Sequence, residues 1–238
     1  MPVNLLAIAA HRDDVELTCA GTLIKATDQG YLTGILDLTA GESGTRGNAQ
    51  LRSEEAEAAA KIMGITERRN AGLPDAALAN NEVTRRVVIE AIRHFAPAVV
   101  ILPFPVGRHP DHRVASELGR DACFLAGLTK YPAEGKPHRP FKILYALAYR
   151  EDPVKPTFVV DIAKQFDRKM AAIRCYASQF DSAVSAGEIF PTGQNLYGLV
   201  ETQNAHYGSL IRTRFGEPYF THETVPIDDV LKLQGQSM

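Results

Sequence analysis

Long hydrophobic runs are missing from this sequence of 238 residues. The two longest apolar stretches, residues 5–10 and 98–102, are far shorter than the ~20 residues that cross a bilayer. No Lys or Arg precedes Leu5, as the basic start of a signal peptide would require, and the first stretch ends at the polar run from His11 to Asp14. We therefore expect a cytoplasmic protein that does not cross a membrane.

Cysteine and one-signed charge are also scarce. The three cysteines, Cys19, Cys123 and Cys175, lie far apart without CxxC spacing, which excludes a disulfide framework and a thiolate zinc site. The 26 basic and 28 acidic residues leave a net charge of -2 and form no long block of either sign. This balance argues against nucleic acid or a charged membrane surface as a partner.

What the sequence does contain is the composition of a soluble globular domain, with 45% hydrophobic and 23% charged residues. Since a domain has about 150 residues, we expect one domain over residues 1–238. Short β-rich runs alternate with helical patterns in the first half of the chain, which is typical of βαβ units. The fold class is therefore α/β: a Rossmann-like, doubly wound, mainly parallel sheet flanked by helices.

The hydrophobic periodicity predicts the individual elements. Strands are expected at residues 3–10, 32–38, 67–70, 98–102, 142–149 and 157–161, and helices at 19–29, 50–63, 81–95, 111–126 and 163–178. Residues 131–140 and 187–197 are predicted to be long loops, which in a compact domain are more often functional than idle. We expect this loop-rich C-terminal part to complete the functional site.

Two polar motifs each follow a predicted strand. AHRDDVE at residues 10–16 follows the first strand, and HPDH at residues 109–112 follows the strand at 98–102. In the common strand order 3-2-1-4-5, the first and fourth strands are neighbours, and ligands bind beyond their carboxyl ends. The two motifs are therefore expected to face one crevice.

The spacing within the motifs is typical of metal ligands. His11 and Asp14 are three residues apart, as are His109 and His112, which brings each pair to one side of a turn. Two histidines and one carboxylate form a typical catalytic zinc set, and Asp13 beside them could deprotonate a water on the metal. Each motif alone would fit a helix cap or a solvated charge, but their meeting at one sheet edge favours a metal site.

Two further features lie near the expected crevice. Gly41, Gly44 and Gly47 follow the second strand without the GK[ST] ending of a phosphate loop, so we interpret them as a mobile rim. Arg52 shares the buried face of the helix at 50–63, where a charge is costly unless it is paired or used. Arg52 is therefore either a functional residue or one partner of a buried salt bridge.

At residues 10–23 the sequence AHRDDVELTCAGTL resembles the AHPDDxExxxGGTL signature of the zinc-dependent N-acetylglucosaminyl deacetylases, the LmbE-like or PIG-L family, and HPDH is similar to their second metal motif. The resemblance continues through LTAGESGTRG at 38–47, LRSEE at 51–55, LPD at 73–75 and GEP at 216–218, so it covers nearly the whole chain. It is closest to the bacillithiol-pathway branch, which deacetylates N-acetylglucosaminyl malate.

This resemblance implies roles for residues of both motifs. It places the zinc ligands at His11, Asp14 and His112 and the general base at Asp13. The same comparison makes His109 the residue that stabilises charge near the reacting carbonyl.

Outside the motifs, the resemblance implies that Arg52 and Asp75 hold the sugar and that Tyr197 assists the oxyanion. Two positions depart from the family pattern. Arg12 replaces its usual proline, and Ala20 replaces the first glycine of its GG pair.

A malate group would bring two carboxylates into the crevice, and these need cationic partners, preferably Arg. Arg108 precedes the HPDH motif, Arg139 lies in the predicted loop at 131–140, and Arg52 points inward. An inositol conjugate would instead need hydroxyl partners, so this supply of arginines favours malate.

These expectations combine into a metal-dependent hydrolase that removes the acetyl group from an N-acetylglucosamine conjugate, with N-acetylglucosaminyl malate as the small-molecule substrate. Histidine and carboxylate ligands suit Zn²⁺ but also Fe²⁺, cobalt or manganese. Alternatives are an inositol conjugate or a chitooligosaccharide with the same chemistry, or a non-catalytic nucleotide-binding module, which the absence of GxGxxG after the first strand disfavours. The resemblance further implies a homo-oligomer such as a hexamer.

Overall fold

The computed structural model describes residues 2–147, 154–180 and 195–232 of the chain. One sheet runs through these segments, with seven strands in the order β3-β2-β1-β4-β5-β7-β6. The strands are β1 (Leu5–Ala9), β2 (Thr33–Thr39), β3 (Glu67–Leu73), β4 (Val99–Pro103), β5 (Lys142–Ala146), β6 (Phe158–Asp161) and β7 (Gly216–Phe220). The helices are α1 (Asp14–Thr18), α2 (Ala20–Asp28), α3 (Ala49–Met63), α4 (Glu82–Phe95), α5 (Pro110–Ala126), α6 (Phe166–Arg174), α7 (Ala177–Phe180) and α8 (Leu196–Ser209).

The strand pairing confirms the predicted α/β class. β1 pairs in parallel with β2 and β4, β2 with β3, and β4 with β5, which is the expected order 3-2-1-4-5. Two further strands extend the sheet, since β7 runs antiparallel to both β5 and β6. One continuous sheet is compatible with a single domain over residues 1–238, which stays a prediction. Within the described ranges, each helix is too short or too polar to span a bilayer.

Apolar side chains cover both faces of the sheet. On one face, Val88 of α4 and Leu118 of α5 belong to a buried cluster. On the other face, Leu23 of α2 and Met63 of α3 belong to a second cluster. Because helices cover both sides of β1 and β2, these strands carry near-continuous apolar runs. The polar residues that follow the strands are therefore left at the carboxyl edge of the sheet.

The C-terminal part differs most from the prediction. The helix predicted at 163–178 is divided into α6 and α7, and neither β7 nor α8 has a clear signal in the sequence. In α8, the apolar stripe is interrupted by Asn204 and Gly208, which have other contacts. Asn204 donates to the Gly216 carbonyl at 3.1 Å, and Gly208 packs so closely that a Cβ there would lie 2.7 Å from the Phe215 nitrogen. Most of the loop predicted at 187–197 and the end of the strand predicted at 142–149 lie outside the described residues.

Candidate metal centre and active site

The carboxyl ends of β1 and β4 bring the two polar motifs together, as predicted. The first motif connects β1 to α1, and the second connects β4 to α5. Since β1 and β4 are paired neighbours, His11 meets the two histidines of the second motif. The ring centroids of His11, His109 and His112 lie 4.7 to 5.3 Å from one another.

Three potential ligand groups are almost equally spaced. His11 Nδ1 lies 3.3 Å from His112 Nε2 and 3.4 Å from Asp14 Oδ2. The other Asp14 oxygen, Oδ1, lies 3.2 Å from His112 Nε2. Two ligand atoms about 2.1 Å from a tetrahedral zinc ion are about 3.4 Å apart, so each of the three distances is compatible with a shared metal, although Asp14 uses a different oxygen toward each histidine. Two imidazole nitrogens and one carboxylate are a donor set that would suit zinc.

His109 also lies within ligand distance, because nitrogen atoms of His11, His109 and His112 all fall within 4.8 Å of one another. However, His109 Nδ1 accepts a hydrogen bond of 3.2 Å from the Asp111 backbone N–H and so caps α5. Burial and the neighbouring His112 and His11 lower the pKa of His109. A neutral ring that accepts at Nδ1 carries its proton on Nε2, where it is a hydrogen-bond donor rather than a metal ligand.

The far side of the His11 ring contacts two carboxylates. His11 Nε2 lies 3.1 Å from Asp75 Oδ1 and 3.4 Å from Asp111 Oδ2, and the Ala76 N–H donates to Asp111 Oδ2 at 2.8 Å. A carboxylate that accepts from one ring nitrogen orients the other nitrogen toward a metal. Asp75 therefore lies against His11, where the sequence predicts a sugar contact, and Asp111 is a site residue that the prediction misses. Its place inside HPDH and its burial are the signals that could have found it.

Asp13, in the first motif, contacts Arg52 of α3. Its backbone φ of 121° is rare for a residue with a side chain, and Arg52 Nη2 donates to its Oδ2 at 3.1 Å. Burial, together with the negative charge of Asp14, raises the pKa of Asp13 to about 7, although Arg52 and His11 oppose this. A carboxyl group with such a pKa can accept and release a proton near neutral pH.

The ligand groups hold opposite charges in the metal-free site. Burial disfavours a charged imidazole, but the hydrogen bond and charge of Asp14, with Asp13 and Asp75, raise the pKa of His11 to about 9. Burial would also raise the pKa of Asp14, but His112 and His11 hold it well below its usual range. The excess of carboxylates around the imidazoles favours a cation at this place.

Near Asp13, Arg12 and Arg52 both donate hydrogen bonds to backbone carbonyls. Arg52 is 5% exposed and forms the buried salt bridge with Asp13, the second of its two predicted roles. Arg12, the residue that replaces the family proline, donates from Nη1 to the Ala49 carbonyl at 2.8 Å.

Arg139, which is predicted to contact the substrate, lies away from the two motifs in the structure. Its guanidinium donates to the Phe124 carbonyl at 2.9 Å and lies 4.3 Å from the Phe124 ring centroid. Phe124 is twelve residues after His112 on α5, which is about 18 Å along the helix axis. The loop at 131–140 packs at the end of α5 that faces away from the site, so it does not close over the crevice.

The two remaining predicted residues lie in different places. Arg108 is exposed beside the second motif, and its carbonyl accepts from Arg113 at 3.0 Å. Tyr197 lies on α8 against the apolar cluster of Phe166 and Phe215, with the Arg174 guanidinium 5.5 Å from its ring centroid. The substrate contact of Arg108 and the oxyanion role of Tyr197 both stay predictions.

The fold and this cluster define an α/β protein with a candidate metal centre at the switch point of a parallel sheet. Residues 6–123 match the PIG-L family, described as GlcNAc-PI de-N-acetylase. Over 196 residues the chain is 30% identical to the diacetylchitobiose deacetylase of Thermococcus kodakarensis, covering 76% of this chain and 72% of that relative. The chain belongs to the PIG-L family of deacetylases, as the motifs indicate.

Solved structures agree with this assignment of the fold. The conserved protein TT1542 from Thermus thermophilus superimposes with a TM-score of 0.85 at 36% identity, covering 94% of this chain and 97% of that one. The N,N'-diacetylchitobiose deacetylase from Pyrococcus horikoshii has a TM-score of 0.78 at 24% identity, covering 91% and 82%. At that identity the second likeness shows the fold alone.

Proposed function

We propose that this protein is a zinc-dependent hydrolase that removes the acetyl group from an N-acetylglucosamine conjugate, with the metal held by His11, Asp14 and His112. The observation that carries the proposal is the convergence of two imidazole nitrogens and one carboxylate, with pairwise separations of 3.2 to 3.4 Å, because two histidines and a carboxylate are a typical catalytic zinc set. Membership of a deacetylase family supports the choice of reaction.

The proposed mechanism assigns a task to each group around the centre. Held by His11, Asp14 and His112, a zinc ion would polarise the acetyl carbonyl and make a bound water more acidic. Asp13 accepts the proton of the attacking water on Oδ1, because Oδ2 is bonded to Arg52. His109 donates from Nε2 to the developing oxyanion, since its Nδ1 is occupied by the Asp111 N–H. Asp13 then returns the proton to the departing amine.

Two adjacent aspartates provide the sharpest test of these roles. Asp13→Asn should retain zinc but lose on the order of 10²- to 10⁴-fold in kcat, because it removes the base and leaves the ligands. Asp14→Asn should lose the metal itself. Metal content by mass spectrometry and amine release from the substrate measure the two effects, and retention of zinc by Asp14→Asn would remove that residue from the ligand set.

N-acetylglucosaminyl malate is the substrate that the motif resemblance favours, and Arg108 is its proposed carboxylate partner. Arg52 is bonded to Asp13 and Arg139 contacts Phe124 near the far end of α5, so the case for malate depends on this single side chain. The curated relative that acts on diacetylchitobiose makes a chitooligosaccharide the second candidate.

Amine release by the zinc-loaded protein from N-acetylglucosaminyl malate, diacetylchitobiose and an N-acetylglucosaminyl inositol separates these candidates. If malate is the group recognised, Arg108→Ala should lower kcat/KM about 10- to 150-fold on the malate conjugate and much less on the neutral sugars. Equal losses on all three would overturn malate recognition. No amine from any of them, with zinc bound, would overturn the deacetylase proposal.

The homo-oligomer also remains a proposal. Phe124 and Phe141 are 59% and 76% exposed, and exposed large apolar side chains favour a protein contact. Light scattering on the purified protein tests this assembly, and a monomeric mass at micromolar concentration would contradict it.

A further inference from the structure

Arg52 connects the proposed base to the glycine-rich loop that follows β2. Its Nη2 donates to Asp13 Oδ2 and to the Arg12 carbonyl, both at 3.1 Å. Its Nη1 donates to the Gly41 carbonyl at 3.0 Å. The guanidinium thus has partners on two different loops, and its side chain is 6% exposed.

Two glycines provide the space in which the guanidinium lies. A Cβ built on Gly41 would be 2.2 Å from Arg52 Nη1 and 2.5 Å from Cζ, and one on Gly44 would be 2.9 Å from Nη1. Gly41 also has a φ of +72°. Gly41 and Gly44, two of the three glycines predicted to form a mobile rim, therefore have a packing function, because they make room for Arg52.

The backbone of Asp13 makes this support relevant to catalysis. Its φ of 121° costs energy for a residue with a side chain, so surrounding contacts must hold it. The Arg52 guanidinium bonds both the Asp13 carboxylate and the carbonyl of the residue before it. Arg52 thereby holds both the Asp13 carboxylate and the adjoining backbone. Because it occupies Oδ2, it leaves Oδ1 of Asp13 to accept a proton.

We propose that Arg52, seated on Gly41 and Gly44, is a positioning residue that holds the Asp13 carboxylate in place for proton transfer. This differs from the sugar contact that the family resemblance implies for Arg52, and its catalytic consequence rests on the proposed deacetylation. A misplacement of about 1 Å in a reacting group can cost on the order of 10²-fold in rate, which sets the expected size of the effect.

Arg52→Gln distinguishes positioning from sugar binding. If Arg52 positions Asp13, kcat should fall on the order of 10²-fold while KM and the bound zinc stay unchanged. A sugar contact would instead raise KM with kcat preserved, and that result would overturn the proposal. Arg52→Lys, which retains the charge without the forked geometry, should recover part of kcat.

Glycine variants test the seat without changing Arg52. Gly41→Ala should displace the guanidinium and reproduce the loss of kcat, and Gly44→Ala should do so more weakly. Gly30→Ala is the matched control, because Gly30 also has a positive φ of +86° but no atom within 4 Å of a Cβ. Normal kcat in folded Gly41→Ala and Gly44→Ala proteins would contradict the role of the seat.

A double-mutant cycle in the metal-free protein tests the contact independently of activity. Urea unfolding measures how much Arg52→Gln, Asp13→Asn and the double variant each lower the free energy of unfolding. The loss in the double variant should be smaller than the sum of the two single losses. Additive effects would overturn the contact itself. If the loss in the double variant is clearly smaller than this sum but the protein releases no amine, the contact is retained and the proposed function is rejected.

Discussion

At the scale of single residues, His11 is the centre of the site because each of its ring nitrogens has a separate task. Nε2 lies against Asp75 and Asp111, which leaves Nδ1 directed toward Asp14 and His112. This division is typical of a histidine that binds metal through one nitrogen and is oriented through the other. The two carboxylates behind the ring should therefore affect metal binding without contacting the metal.

Asp111→Asn tests this orientation. The amide oxygen is an uncharged and weaker acceptor for His11 than the carboxylate, so zinc affinity should fall about 10- to 100-fold. Competition with a chromophoric chelator measures the affinity. Asp121→Asn is the control, since Asp121 lies on the same helix with Asn80 as its partner and should retain normal affinity. Equal affinities in both variants would contradict the assigned role of Asp111.

The raised pKa of His11 predicts a pH-dependent metal affinity. With a pKa of about 9 in the metal-free site, the ring is protonated at pH 7 and must release its proton before Nδ1 can bind zinc. The apparent affinity should therefore rise with pH between about 6 and 9, by up to tenfold per unit for one proton released. Calorimetry in buffers of different ionisation enthalpy counts the protons, and none released at pH 7 would contradict this prediction.

At the scale of elements, α5 has different polar contacts at its two ends. Its first turn carries His109, Asp111 and His112, all part of the proposed site. At the other end, Arg93 of α4 donates to the carbonyls of Ala126, Leu128 and Ala133. These bonds attach the following loop to the helix end, so this loop is a structural segment and not part of the crevice.

Arg93→Met should therefore destabilise the protein without affecting the site. It removes the charged donor of the Ala133 carbonyl, whereas the Ala126 and Leu128 carbonyls keep the N–H donors of His138 and Tyr131, so we expect a loss of about 1.5 to 3 kcal/mol in the free energy of unfolding. Arg86→Met, at an exposed position of the same helix, should cost no more than about 0.5 kcal/mol. Urea unfolding measures both, and kcat of folded Arg93→Met should stay normal. A loss equal to that of Arg86→Met would contradict the role of Arg93.

At the scale of the whole molecule, the sequence predicts the first 126 residues well and the remainder poorly. Up to α5, β1, β2 and β4 are apolar, largely buried runs and the long helices have apolar stripes, so local patterns determine most elements and their order. The exceptions are α1, which the periodicity does not predict, and β3, which is polar and only partly buried. The ligand motifs are predictable for the same reason, since they follow two of these strands. The contacts of Arg52 and Asp75 are not, because they depend on how loops from separate strands meet. The positions of β7 and α8 are not predictable either. Because β7 contains a proline and α8 buries Asn204, neither has a regular apolar pattern, and long-range contacts determine where these elements lie.

One buried ion pair attaches this C-terminal part to the N-terminal half. Glu217 of β7 accepts from the backbone N–H groups of Gly21 and Thr22 in the first turn of α2, at 2.8 and 2.7 Å. It also accepts from Lys169 of α6 at 2.7 Å, and both side chains of this pair are fully buried. A single carboxylate therefore joins β7, α2 and α6. Of these, α2 directly follows α1, the helix that begins with Asp14.

Lys169→Met should consequently be among the most destabilising substitutions in the protein. It leaves the Glu217 charge buried without its cation, which typically costs about 3 to 5 kcal/mol in the free energy of unfolding. Adding Glu217→Gln should recover part of this loss, because the uncompensated charge is removed while an amide oxygen can still accept from α2. Urea unfolding of the two single variants and the double variant measures this coupling. If the double variant is as unstable as the sum of the single ones, Lys169 and Glu217 act independently and the ion pair does not attach β7 to the rest of the fold.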